Sequence, residues 1–333
     1  MTIQITIIGL GQIGASAGLA LSDYEDDILR VGHDKDPLVA RKAKQEGMID
    51  KMTLTLSNAV QDADAVLLAI PAHEIRPTLE HIAQDLKEDA IVIDTAPMKR
   101  VVEKWADELL PPKRYYVGLA PVINSDYLQE FGFGIEAARK DLFDEMLMAL
   151  ITGPKASTQA VNFATSFIKL LGAKTLFVGA AEMDGLMTTT HVMPHLVAAA
   201  LVSAAVTKPG WRDAQKFAGR AFAQVSEPIG LSGSPEALAS MTIHNGDNAE
   251  RIIDDVIYAL QNMQQAIREK DEEALDEYLQ EAYKSRRRWW VDREDGEWSD
   301  TKASGEVSKP ERGSLFKRLL GFDDSRRKRA NDD

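Results

Sequence analysis

The sequence predicts an α/β protein in which an N-terminal, doubly wound parallel sheet is followed by an all-helical domain. Short apolar runs alternate with helical patterns as far as about residue 179. The first run leads into a glycine-rich turn, and the strand signals stop at Ala180. We therefore expect the sheet domain in residues 1–179 and the helical domain in residues 180–290.

The predicted strands are runs of four to six mostly apolar residues, separated by segments long enough for a helix. Strands joined through helices run parallel, because the helix returns the chain to the end of the sheet where the previous strand began. The runs are 3–8, 28–32, 65–70, 90–94, 115–118, 148–152 and 175–178.

The first run ends in Gly9-Leu10-Gly11-Gln12-Ile13-Gly14, which a stretch of small residues follows. A strand, a tight turn and a helix start are the context in which G-x-G-x-x-G indicates dinucleotide binding. The first glycine permits the turn, the second leaves room for the pyrophosphate, and the third lets the helix approach the sheet. The pattern predicts a Rossmann-like domain. Its cofactor-binding residues are Gly9, Gly11, Gln12, Ile13 and Gly14.

An acid, Asp34, follows the second run, about twenty residues after the last glycine, where it can accept from a ribose 2′-hydroxyl. Its charge opposes a 2′-phosphate, so NAD is expected rather than NADP, although Lys35 weakens that preference. Pro71 and Asp94 follow or end predicted strands where ligands bind such sheets, and both are assigned to the cofactor site. An ordinary strand stop is the alternative for Pro71.

Composition indicates a two-domain enzyme-sized protein, since 333 residues can bury a full core. The chain has no cysteine, which excludes disulfides and thiolate chemistry and is typical of a reducing compartment. We expect a cytoplasmic protein without a signal peptide or a membrane span. The net charge of −13 argues against a nucleic-acid partner.

The helical domain contains tracts at 181–206, 211–226 and about 248–288. The tract from Leu196 to Val206 has so little polar surface that we expect helices shared between subunits, and hence a homodimer. Residues 291–333 mix both charges with Gly, Ser and Pro and are expected to be disordered. Within them, 313–322 forms a basic amphipathic segment that could dock on a partner or an anionic membrane surface, or could have no role.

Four motifs in order resemble the prephenate dehydrogenase family across residues 1 to about 288. They are the glycine turn with Ala69-Ile70-Pro71, residues 94–99 in place of D-x-x-S-x-K, residues 117–121 in place of V-G-x-H-P, and residues 184–195 in place of D-x-x-V-A-x-x-S-H-L-P-H. The resemblance implies a dinucleotide domain and a helical dimerisation domain. It also implies an oxidative decarboxylation in which NAD accepts a hydride, a histidine takes the hydroxyl proton and carbon dioxide is lost.

The residues that would perform this chemistry differ here. Ala120 occupies the position of the family's histidine, and Pro97 that of the serine that supports it. Loss of a positioned base typically costs about 10²- to 10⁴-fold in rate. Within the helical motif, the family's serine becomes His191 and its first histidine becomes Val192, whereas His195 matches.

His191 and His195 lie four residues apart, so they share one helical face, and we assign both as candidate catalytic residues. Packing in the core or an interface is the alternative for His191. No third ligand is evident nearby, so no metal site is assigned. Lys99 is the remaining catalytic candidate, expected to face the cofactor crevice, with an exposed lysine as the alternative.

A small carboxylated substrate is expected to need a cation, and Arg220 is the nearest candidate, about two residues out of register with the family's arginine. Thr188 is assigned as a substrate contact, with helix packing as the alternative. The resemblance to the family favours a dehydrogenase acting on prephenate, arogenate or a related carboxylated alcohol in tyrosine biosynthesis, with the base moved to His191 or His195. They leave open a non-catalytic NAD-binding dimer with a sensor or scaffold role, and a relative that acts on imines or 3-hydroxy acids.

Overall fold

A computed structural model describes residues 2–130, 132–153, 155–231 and 234–296. Within these ranges the chain divides into two compact units, with the boundary between Ala181 and Glu182. The first unit holds the sheet and the second is helical. The segment 313–322 lies outside the described residues.

The first unit contains one eight-stranded sheet in the order β3-β2-β1-β4-β5-β6-β7-β8. The strands are β1 (Ile3–Ile8), β2 (Ile28–His33), β3 (Lys51–Met52), β4 (Ala65–Leu68), β5 (Ile91–Asp94), β6 (Tyr115–Pro121), β7 (Leu147–Thr152) and β8 (Lys174–Phe177). The helices are α1 (Gln12–Ala20), α2 (Pro37–Gln45), α3 (Leu56–Val60), α4 (Ala72–Ile82), α5 (Arg100–Leu109) and α6 (Thr158–Leu170). This confirms the predicted fold class.

The sheet is mostly parallel, but β7 pairs antiparallel with β6, which corrects the expectation of an all-parallel sheet. In the described part of the connection 122–146, short 3₁₀ turns replace a crossover helix, so the chain turns back along the sheet. Helix α6 then carries the chain across, and β8 pairs parallel with β7. The two-residue strand β3 was not predicted.

The core of the first unit lies on both faces of the central strands, which are buried as near-continuous apolar runs. Ile5, Ile7 and Leu67 are among the fully buried side chains. On the β7–β8 side, Phe163 and Phe167 of α6 stack at 6.4 Å between ring centroids. The glycine turn lies at the carboxyl end of β1, between the parallel neighbours β2 and β4.

The second unit begins within helix α7. Its helices are α7 (Ala180–Met187), α8 (Met193–Val206), α9 (Trp211–Ala214), α10 (Arg220–Leu231), α11 (Pro235–His244), α12 (Gly246–Glu269) and α13 (Glu272–Asp295). A π-helical turn, Thr188–Val192, joins α7 to α8. Because α13 runs to Asp295, residues 291–295 are helical, not disordered as expected.

One stretch corrects the expectation that no segment could span a bilayer. Among the described residues, the helical stretch Ala180–Val206 is long and apolar enough by length and composition, with a mean hydropathy of 1.4 over its most apolar window. Only 17% of that window is buried. A helix that packs against another subunit can be equally long and equally apolar. Length and composition alone therefore do not identify a membrane span.

Candidate functional site

The glycine turn has the geometry of a phosphate-binding loop, and each of its glycines is required for a different reason. Gly9 has a φ of +89°, and a Cβ there would lie 2.4 Å from the carbonyl oxygen of Ala69. A Cβ on Gly14 would lie 2.0 Å from the carbonyl oxygen of Gly9. A side chain at Gly9 is therefore excluded by the turn itself and by the segment after β4, and one at Gly14 by the close approach of α1 to the turn.

Gly11 differs, because no described residue other than its two chain neighbours lies within 4 Å of where its Cβ would stand. It is the N-cap residue of α1, whose first turn has no side-chain cap and no acidic residue. The amides of half-buried Gln12 and Ile13 at this helix start are thus not engaged by a capping side chain. Open space beside uncapped amides fits the pyrophosphate of a dinucleotide.

Asp34 joins the glycine turn to the end of β2. Its Oδ2 accepts from the Leu10 amide at 2.8 Å, and its Oδ1 accepts from the Asp36 amide at 2.9 Å. The carboxylate is half-buried. Each oxygen retains a lone pair for a ribose hydroxyl. Pro71 is exposed and is the N-cap residue of α4, in the loop that follows β4.

Asp94 and Lys99, expected at the cofactor and catalytic sites, form a buried ion pair with each other. Both side chains are 0% exposed, and Lys99 Nζ lies 3.0 Å from Asp94 Oδ1. The same Oδ1 accepts from the Ala96 amide at 2.8 Å, and Asp94 Oδ2 accepts from the Tyr116 hydroxyl at 2.6 Å. These contacts of Asp94 therefore hold the loop between β5 and α5 in place. Within it, Pro97 is half-buried.

Tyr116 was not found by sequence reasoning, although the two-residue period of a strand indicates its orientation. Tyr116, Gly118 and Ala120 alternate along β6 and share one face of the sheet. A Cβ on Gly118 would lie 2.9 Å from Lys99 Cδ and 3.1 Å from the Tyr116 hydroxyl. Ala120 is 5% exposed and pairs with Ala149 of β7, so a side chain larger than alanine at position 120 would extend from the face that carries the ion pair.

The two histidines meet at the π-helical turn. His195 Nδ1 lies 2.6 Å from the carbonyl oxygen of His191, so Nδ1 carries a proton and donates to this oxygen. The two ring centroids are 5.1 Å apart. Burial, followed by the neighbouring His195, lowers the pKa of His191 to about 4. Because its pKa is about 4, the His191 ring is neutral at neutral pH and able to accept a proton.

The threonine run is occupied in helix packing. The hydroxyls of Thr188, Thr189 and Thr190 donate to the carbonyl oxygens four residues earlier, at 2.6, 3.3 and 2.9 Å. Such bonds compete with the backbone ladder and bend helices, which is consistent with the wide turn here.

Asn245, which sequence reasoning missed, reinforces this turn from the start of α12. Its amide donates to the Asp184 carbonyl at 2.9 Å and to the Thr188 hydroxyl. Thr188 is 1% exposed, which favours the alternative of helix packing over a substrate contact. Arg220 begins α10, is exposed, and forms no ion pair within the described ranges.

Two family models cover most of the chain. Residues 17–177 match the model described as "Prephenate dehydrogenase, nucleotide-binding domain", and residues 179–281 match "Prephenate dehydrogenase, dimerization domain". The glycine turn precedes the first matched range, so its assignment depends on the geometry above.

Curated relatives and solved structures agree. The chain is 26% identical over 280 residues to a prephenate dehydrogenase of Bacillus subtilis, covering 84% of this chain and 74% of that protein. It is 25% identical to a cyclohexadienyl dehydrogenase of Zymomonas mobilis, covering 85% and 94%. The fold is similar to that of a prephenate dehydrogenase from A. aeolicus in complex with hydroxyphenyl propionate and NAD+, at a TM-score of 0.74 and 22% identity over 86% of this chain and 98% of that one. A Synechocystis arogenate dehydrogenase gives a TM-score of 0.67 at 24% identity, covering 86% of this chain and 100% of that one. The chain therefore belongs to the prephenate dehydrogenase family, and the expectation of an NAD-dependent oxidoreductase of this class is confirmed.

Proposed function

We propose that the protein is an NAD-dependent dehydrogenase that oxidises prephenate, arogenate or a related small carboxylated cyclohexadienol, as in tyrosine biosynthesis. The observation that carries the proposal is the open space at Gly11 beside the uncapped start of α1, in a chain of this family. The names of the relatives, prephenate and cyclohexadienyl dehydrogenase, support the substrate class.

The residues of the first unit bind and orient the cofactor. The amides at the start of α1 hold the pyrophosphate, and Asp34 accepts from the ribose hydroxyl. NAD, when bound, accepts the hydride from the ring carbon that bears the hydroxyl. Loss of carbon dioxide then leaves an aromatic ring, and the hydroxyl proton needs an acceptor.

We propose that His191 takes this proton, because Ala120 has no group that could do so. The lowered pKa of His191 keeps its ring neutral and able to accept a proton above about pH 4. The match of His195 to the family motif supports a role for this helical turn. A base with so low a pKa gives less driving force for proton transfer than an ordinary imidazole, so turnover is expected to be slow.

The test is turnover of NAD with prephenate or arogenate, followed by the absorbance of reduced nicotinamide, in the unmodified protein and in three variants. His191→Asn is expected to lower kcat/KM by about 10²-fold or more, and His195→Asn tests the neighbouring ring. His81→Asn is the matched control, since His81 is exposed on α4. Turnover that survives in His191→Asn while NAD still binds would refute this assignment of the base.

A second candidate function is a non-catalytic NAD-binding dimer with a sensor or scaffold role. Ala120 and Pro97 favour it, because both groups that the family uses at these positions are missing. The same assay separates the candidates. Tight NAD binding without turnover of either substrate supports the second, and measurable turnover refutes it.

We further propose that the protein is a homodimer assembled through the second unit. Large apolar side chains there lie exposed on helices, as expected for a surface that another subunit covers. They include Leu186, Val206, Phe217, Val225 and Ile243. A specific interface should bury more than about 1,000 Å². Light scattering at micromolar concentration that gives the mass of one chain would refute the dimer.

A further inference from the structure

Lys35 and Glu74 form an ion pair across the carboxyl end of β1, where the glycine turn begins. Lys35 follows Asp34 at the end of β2, and Glu74 lies in the first turn of α4, after β4. Lys35 Nζ lies 2.5 Å from Glu74 Oε1. Because β2 and β4 are the two neighbours of β1 and run parallel to it, the pair joins the loops on either side of the turn.

Glu74 is the anion that holds this lysine. Its hydrogen bond and its charge are the main causes that raise the pKa of Lys35. The lysine side chain is 76% exposed, whereas that of Glu74 is only 29% exposed, so the carboxylate is the fixed partner. Glu74 also lies 3.8 Å from His73 Nε2. Lys35, which follows Asp34 in the chain, is therefore held by α4.

The position of Lys35 matters for the choice of cofactor. A lysine directly after the ribose-binding acid is well placed to pair with a 2′-phosphate. Here the lysine is already paired, and Asp34, Asp36 and Glu74 make the surroundings acidic. A 2′-phosphate at this edge would have to displace Glu74 from Lys35 and lie close to Asp34.

We propose that Glu74 determines cofactor specificity by holding Lys35 away from the ribose, so that NAD is preferred over NADP. The inference rests on the proposed function in one respect, that the chain binds a nicotinamide dinucleotide. It assigns a role to a residue outside the glycine turn and its acid. It also reverses the effect expected of Lys35 from sequence, since the paired lysine no longer weakens the preference for NAD.

The experiment is a titration of the full-length protein with NAD+ and with NADP+, read by calorimetry, so that it does not depend on turnover. Glu74→Gln removes the charge that holds Lys35 and is expected to improve the affinity for NADP+ relative to NAD+ by about tenfold. Glu80→Gln is the matched control, because Glu80 lies on the same helix and pairs with Arg76 at 3.0 Å, away from Lys35. It should leave the ratio unchanged.

Adding Lys35→Ala to Glu74→Gln tests whether the released lysine is responsible. The double variant should lose the gain, because no cation remains to meet the phosphate. A ratio in Glu74→Gln equal to that in Glu80→Gln would overturn the inference, and so would a gain that persists without Lys35. Failure of the unmodified protein to bind NAD+ would instead refute the proposed function, and the inference with it.

Discussion

Replacing Gly11 with valine should abolish cofactor binding while leaving the fold intact. The backbone at Gly11 has φ −75° and ψ −164°, a conformation open to any residue, and no described residue other than its two chain neighbours stands near its Cβ position. We expect the free energy of unfolding to change by less than about 1 kcal/mol, the usual scale of an N-cap substitution. The added side chain would fill the space meant for the pyrophosphate. NAD+ affinity should therefore fall by at least about 100-fold, or about 2.7 kcal/mol.

Gly14→Ala is the comparison that separates binding from folding. Its Cβ would lie 2.0 Å from the Gly9 carbonyl oxygen, so either α1 or the turn must shift. We expect a loss of about 2–4 kcal/mol of stability, in the range of overpacked cores.

Both variants are measured by chemical denaturation and by NAD+ titration. Near-native stability with no binding is the result expected for Gly11→Val, and reduced stability is the result expected for Gly14→Ala. The reasoning is wrong if Gly11→Val unfolds as easily as Gly14→Ala, or if it still binds NAD+ with unchanged affinity.

Three further predictions concern the chemistry and its support. Turnover of prephenate should increase more in the double variant Pro97→Ser with Ala120→His than in either single variant, because the serine hydroxyl is needed to orient the new imidazole. Equal rates in the double variant and the better single variant would contradict this. If His191 is the base, kcat/KM should fall only as pH decreases toward about 4, because the lowered pKa keeps the His191 ring neutral at higher pH. An acidic limb of the pH profile near the ordinary pKa of histidine would exclude His191 as the base. Lys99→Met should lower the free energy of unfolding by about 3–5 kcal/mol in denaturant titrations, because the buried Asp94 carboxylate loses its counter-charge. A loss below about 1 kcal/mol would show that the ion pair is not needed for stability.

The parts of the fold and site that follow from local signals could be predicted from sequence. The glycine turn and Asp34 were found because a strand, a turn and an acid at a fixed spacing are all visible in a short stretch of chain. The direction of β7 was not, since it depends on how the long connection after β6 folds back. Expected localisation and the role of 313–322 stay predictions.

Two of the expected site residues are occupied by bonds within the fold, which the sequence did not reveal. Lys99 looks like a free lysine at a strand end, and only the tertiary structure reveals that Asp94 and Tyr116 enclose it. Thr188 looks like a hydroxyl available to a ligand, but Asn245, far along the chain, occupies it. Asn245 reaches Thr188 from a distant segment, whereas Asp94 lies only five residues before Lys99. In both cases the three-dimensional path of the backbone decides whether the polar side chain meets a partner, and no sequence pattern records that path.

The exposed apolar surface of Ala180–Val206 would link the stability of this protein to its concentration if the proposed dimer forms through it. If a second copy covers that helix, as proposed, folding and association are one equilibrium, and mass action sets the fraction of folded chains. The melting temperature should then rise with protein concentration. A substitution that weakens the contact between subunits would appear as lower thermal stability at dilution, even at a position that touches nothing within its own chain.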